Sequence, residues 1–200
     1  MMNKRFVRIY TAITLALGIA QIAVFLLSWI ITAAAPEQNF HSLLSSEGIR
    51  WFFGSFIHNL TSPILVWLIL CILAYGALTS SRILQYDSHV YRQRLGMNLV
   101  IVEFGVCLLV LLMLTMFPHA ILLSVTGNLF PSSFSGSIIP IATFMIILFS
   151  ESFAVMSGRF NSPTKVVESL LVGIHQLASL FLIYILAMEL FHSVLFIIYG

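Results

Sequence analysis

What most limits this chain is where it carries no charge. Between Arg8 and Glu37, and again between Arg50 and Arg82, there is no formally charged residue. A helix of roughly 20 apolar residues crosses the hydrocarbon core of a bilayer, and an ordinary soluble domain does not contain two such runs. Composition agrees, with 60% hydrophobic and 8% charged residues against roughly 25% charged in an average soluble domain. The expected fold class is all-α: a polytopic membrane helix bundle forming a single membrane domain over residues 1–200. About five transmembrane helices are expected, at about 9–33, 63–83, 97–117, 136–157 and 166–198, with one interfacial amphipathic helix at about 46–61.

The basic residues orient these spans. Lys4, Arg5 and Arg8 precede the first; Arg82, Arg92 and Arg94 follow the second; Arg159 and Lys165 follow the fourth. Of the nine basic residues only Arg50 falls on the opposite side, as the positive-inside rule asks when the N-terminus is cytoplasmic and the C-terminus exoplasmic. At about 1.5 Å per residue the last span exceeds a bilayer core of about 30 Å, so it must tilt, break or protrude. The basic N-terminus could be mistaken for a secretory signal, with Ala33-Ala34-Ala35 as the cleavage site. Its apolar run is longer than a signal core of about 7–15 residues, so a retained signal-anchor is the better reading.

Turn chemistry marks two connections. Asn161-Ser162-Pro163-Thr164 offers Ser162 or Thr164 as a cap for the last helix, and Gly127 to Ser133 breaks the chain between the third and fourth spans. Both cysteines, Cys71 and Cys107, sit inside apolar runs and are expected to act as small hydrophobes.

Residues 44–63, LSSEGIRWFFGSFIHNLTSP, combine an amphipathic helix with a proline that opens the next apolar run. Ile49, Phe52, Phe53, Phe56, Ile57 and Leu60 recur at helical spacing, while Arg50, Ser55, His58 and Asn59 lie away from that face. Such a helix lies in the interfacial plane or packs on other spans rather than crossing. Trp51, Trp67 and Tyr199 fit interfacial anchors. Asn59-Leu60-Thr61 matches a glycosylation acceptor, but Asn59 is read as a hydrogen-bonding group at the helix end.

Carboxylates within spans cost about 2–3 kcal/mol each and are functional candidates by default. Glu103 and Glu151 lie in the third and fourth spans. They could form a proton-coupled pair or pair with Arg82 or Arg159, or each could reach water near the interface. Glu189 and His192 share a face of the last helix at i and i+3, with His175 and Gln176 earlier on it. A structural hydrogen bond suits Glu189 better than a metal, because two ligands without a third make no site. Small residues recur at every fourth position in Ala12-Ala16-Ala20, Ser150-Ala154-Gly158 and Ser169-Gly173, a pattern that favours tight intrachain packing over contact between copies.

No phosphate loop, zinc-protease helix or serine-nucleophile elbow occurs, and charge runs and nucleic-acid signatures are missing. The residues therefore point to no enzyme, no cofactor and no nucleic-acid partner.

Three segments carry a family resemblance. Residues 44–63 match a Glu-Gly-Leu-Arg-Trp-type helix ending before a span. Gly127-Asn128-Leu129-Phe130-Pro131-Ser132-Ser133-Phe134 matches a Gly-x-Leu-x-x-Ser-Pro-Phe loop, and Ser162 to Ser169 (SPTKVVES) matches a Ser-Asp-Lys-Asp-Val-Val cytoplasmic turn. In this order they resemble the aminobenzoyl-glutamate transporter (AbgT) family of bacterial secondary transporters. The departures are large. Family members are far longer, and their Ser-Asp-Ala-Gly and Gly-Asp-Ser-(Ser/Thr)-Thr-Asn motifs, which carry the proposed substrate and cation contacts, do not occur here. Phe149-Ser150 stands where the family often has Pro-Gly. The resemblance therefore implies a bacterial inner-membrane protein that retains the scaffold half: a homodimeric scaffold, or an accessory subunit of another membrane protein, surrounded by membrane lipids. The alternative is a minimal proton-coupled transporter of a small aromatic carboxylate, such as an aminobenzoyl-glutamate, or of a sulfonamide.

Overall fold

The computed structural model describes residues 4–34, 37, 40–116 and 132–199. The expected break at Gly127 to Pro131, the end of the third span at Phe117, and Ala35 of the alternative cleavage site lie outside the described residues. Within them the chain is all-α: α1 (Lys4–Ala34), α2 (Ser46–Leu60), α3 (Pro63–Ser81), α4 (Tyr91–Met116), α5 (Ser133–Met156) and α6 (Pro163–Tyr199), with a 3-10 turn at Ile83–Gln85. Among the described residues five helices are long and apolar enough to cross a membrane, and α2 is the short sixth.

The chain divides into two compact units, Met1–Leu65 with Gln176–Gly200, and Val66–His175. The first holds α1, α2 and the second half of α6; the second holds most of α3, then α4, α5 and the first half of α6. A continuous helix of 37 residues would measure about 55 Å, well beyond a bilayer core. Inside α6 the backbone leaves helical geometry at Leu177, with φ −114° and ψ 15°, so the overlong span breaks.

In the first unit α2 is held at both ends. Ser45 caps its N-terminus, its hydroxyl accepting from Gly48 N at 3.0 Å, as N-cap serines do. Gly48 is required by proximity: a Cβ there would fall 2.6 Å from Leu43 Cα and overlap Ser42 O. Leu43, fully buried, donates its N–H to the buried Ser28 hydroxyl of α1 at 3.0 Å, and Ser28 in turn donates to Phe25 O. At the other end Tyr184 OH donates to Leu60 O at 2.8 Å and accepts from Ser62 Oγ at 2.8 Å.

The apolar stripe of α2 is only partly packed. Gly48 and Asn59 are its buried residues, whereas Ile49, Phe53 and Ile57 are exposed, the last two by 76% and 79%. Of the expected apolar face, Phe52 packs edge-on against Phe25 with ring centroids 5.2 Å apart. Asn59, off the apolar stripe and expected as a hydrogen-bonding group at the helix end, points into the packed side. Burial by hydrophobicity is a rule for water. In a bilayer an apolar side chain is equally well solvated by lipid, and it is the amide that needs a protein partner. Arg50, Gly54 and His58 are exposed on the remaining arc, so α2 carries packed, apolar and polar sectors around one axis.

In the second unit α3 and the first half of α6 meet backbone to backbone. A Cβ on Gly76 would lie 2.6 Å from Ser169 O and 2.7 Å from Gly173 N, and one on Gly173 would overlap Ile72 O. The Ser169-Gly173 stripe is thus packed within the unit, as are Ser150 and Ala154. In α1, Ala12 and Ala16 are exposed instead. Helices α4 and α5 pack together, with Phe104 against Phe149 at 6.1 Å and a Cβ on Gly96 only 3.3 Å from Phe153 O.

Candidate functional site

The candidate site residues of the first unit gather on the second half of α6. Glu189, Ser193 and Phe196 follow one another at i, i+4 and i+7, the spacing of one helix face, and all three are buried. Together they meet α1, α2 and the segment that leads into α2. Asn59 of α2, 3% exposed, donates its Nδ2 to Glu189 Oε2 at 3.3 Å. Gln21 of α1 donates its Nε2 to Ser193 Oγ at 2.8 Å. Trp51 of α2 stacks on Phe196 with ring centroids 4.4 Å apart, and His41 tilts against the same ring at 5.7 Å. Glu189 is only 3% exposed, and among the described residues its second oxygen, Oε1, has no hydrogen-bond partner; neither does Gln21 Oε1. Both unsatisfied atoms are acceptors, so what this cluster lacks is a donor.

His192 does not join it. Its ring lies half-buried and edge-on to Phe191 at 5.4 Å, and no hydrogen bond links it to Glu189. His175 is exposed. Arg50 and His58 of α2 are also exposed, and Trp51 is half-buried against Phe196 rather than free.

In the second unit Glu151 Oε1 accepts from the hydroxyl of Ser169, itself 2% exposed. The same hydroxyl lies 2.7 Å from Val166 O, so one proton faces two acceptors. Among the described residues Glu151 Oε2 and the buried Ser150 Oγ have no partner. Glu103 on α4 is half-buried with Oε2 unpartnered. No hydrogen bond joins Glu103 to Glu151, and among the described residues neither pairs with Arg82 or Arg159. Of the alternatives open in the sequence, neither the carboxylate pair nor an ion pair with these arginines forms among the described residues.

Each unit thus presents a carboxyl group with one oxygen held by a neutral donor and the other without one. Such a group can take up a proton, or can accept a hydrogen bond from another molecule. The partners of Glu189 and Glu151 were not read from the sequence. Asn59 is 130 positions from Glu189 and Ser169 is 18 from Glu151, and no local spacing signals either pairing. For Glu151 one clue existed, since Ser169 belonged to the small-residue stripe.

No family model, curated protein or solved structure matches the chain.

Proposed function

We propose that this chain is a scaffold or accessory subunit of the bacterial inner membrane, N-terminus cytoplasmic, of the type that frames aminobenzoyl-glutamate transporters. The observation that carries this reading is the contrast between its helices. Alpha3 and the first half of α6 are locked by glycine-mediated backbone contact, as a rigid frame requires. Helices α1 and α4 leave nearly their whole length unburied, and α4 exposes Ile101, Val102, Phe104, Val106, Leu108 and Leu109 along its length. A frame of this kind offers apolar helix faces to lipid, to a second copy or to a larger membrane protein. Size-exclusion chromatography with light scattering in several mild detergents, with mass spectrometry of copurifying proteins, tests it. A homodimer or a stoichiometric membrane partner is expected; a bare monomer in every detergent overturns it.

The buried carboxyl groups favour a second reading, a minimal proton-coupled transporter. Acidic side chains in spans commonly mark proton pathways. On this reading, proteoliposomes take up a labelled aminobenzoyl-glutamate along an imposed proton gradient, and Glu189→Gln or Glu151→Gln abolishes the uptake. Uptake that ignores the gradient rejects it.

A further inference from the structure

The C-terminal ends of α3 and α5 hold a set of cations that no carboxylate among the described residues answers. Arg82 directly follows α3 and Arg159 lies just beyond α5. With Gln85, Gln93 and Ser157 they line a pocket of about 130 Å³, roughly four times the liquid volume of one water. Arg92 closes in beside it, its guanidinium so near the turn that a Cβ on Gly158 would fall 2.5 Å from Nη1. Lys165 and Glu168 line an adjoining open cleft on Arg159. Among the described residues no carboxylate, Glu168 included, forms an ion pair with Arg82, Arg92, Arg159 or Lys165.

Helix C-termini favour a cation each, which accounts for one arginine per helix end but not for two turned on one pocket. Arg159 feels the conflict: desolvation first, and repulsion by Arg82 second, lower its pKa from the ordinary arginine value. The backbone of Arg82 is a second anomaly. It has φ 54° and ψ 30° and is the one non-glycine residue at positive φ among those described. Glycine is the usual residue just past a helix end in this conformation, so the arginine side chain is kept there at a conformational cost.

We propose that the pocket between Arg82 and Arg159 binds a phosphate-bearing anion, supplied by an anionic lipid headgroup or by free phosphate. Two planar guanidinium forks suit an oxyanion. The polar lining adds a further donor, because Gln93 spends its side-chain oxygen on Asp87 N at 2.8 Å and keeps its amide nitrogen free. Donors arriving from several elements match a tetrahedral group with several oxygens better than a two-oxygen carboxylate. Basic pockets at the membrane boundary of helical proteins are recognised sites for such headgroups.

The test uses the full chain in nanodiscs of phosphatidylcholine alone, with added phosphatidylglycerol, or with inorganic phosphate in the buffer. Unfolding temperature and lipid retention in native mass spectrometry are the readouts. Arg82→Gly relieves the left-handed backbone while removing the guanidinium, so it tests binding in a chain that still folds; Arg159→Gln removes the second charge. Phosphatidylglycerol is expected to raise the unfolding temperature and to be retained about fivefold less for each arginine removed. A rise with inorganic phosphate in pure phosphatidylcholine instead assigns the site to the free anion. No rise with either probe, or a rise that survives both substitutions, overturns the proposal. If the variants do not fold, the wild-type chain decides: a rise that added salt does not weaken also overturns it.

Discussion

Glu189 has one donor, the amide of Asn59, and the stability of that corner depends on whether each buried atom finds a complement. Asn59→Leu leaves both carboxyl oxygens without a partner and should cost about 1–3 kcal/mol, the penalty for stranding a buried polar group. Glu189→Gln keeps an acceptor for Asn59 and adds a donor, so it should lie within about 1 kcal/mol of the parent. Reversible unfolding in mixed micelles, with all proteins in one lipid, measures both. The order should repeat in the second unit. Glu151→Gln supplies a donor to Ser169 Oγ and frees that hydroxyl for Val166 O, whereas Ser169→Ala strips Glu151 of its partner; the alanine variant should be the less stable. That these glutamates were candidates is legible from their place in apolar runs. Their partners are not, because His192 was the neighbour by spacing while the actual donor comes from a helix that meets α6 only in the folded chain.

Among the elements, α3 and α6 carry the sharpest steric prediction. Gly173→Leu places a branched side chain where Ile72 O already sits, and overpacking of that kind costs about 1–3 kcal/mol or more. Ala16→Leu, on an exposed part of α1, should change unfolding of the monomer by less than about 0.5 kcal/mol. The two substitutions look alike in sequence, since both fall in small-residue stripes, and comparing their unfolding midpoints tests the distinction. Helix positions themselves were legible. The expected second span, 63–83, is seen as Pro63–Ser81 and the expected short helix, 46–61, as Ser46–Leu60, because charge-free length and a serine–proline boundary are local signals. Which side of α2 would be packed was not, since periodicity locates an apolar stripe without saying whether protein or lipid covers it. Cysteine labelling checks the outcome. A water-soluble maleimide should modify Gly54→Cys and His58→Cys readily in liposomes and leave Phe53→Cys and Ile57→Cys largely unreacted.

At the scale of the whole molecule, Asn59 and Gly173 take their partners from different units. Substitutions without shared partners usually add. The combined Asn59→Leu, Gly173→Leu chain should therefore lose the sum of the two single losses to within about 0.5 kcal/mol, as measured by the same unfolding assay. The pairing of Glu189 with Asn59 also has a consequence during biosynthesis. Asn59 leaves the ribosome 130 residues before its carboxyl partner, and at about 5–20 residues per second that interval lasts roughly 7–26 s. Gln21 must wait longer still for Ser193, 172 positions away. Throughout that interval the amides of Asn59 and Gln21 lack their native partners, so water, lipid headgroups or the insertion machinery must satisfy them until α6 arrives.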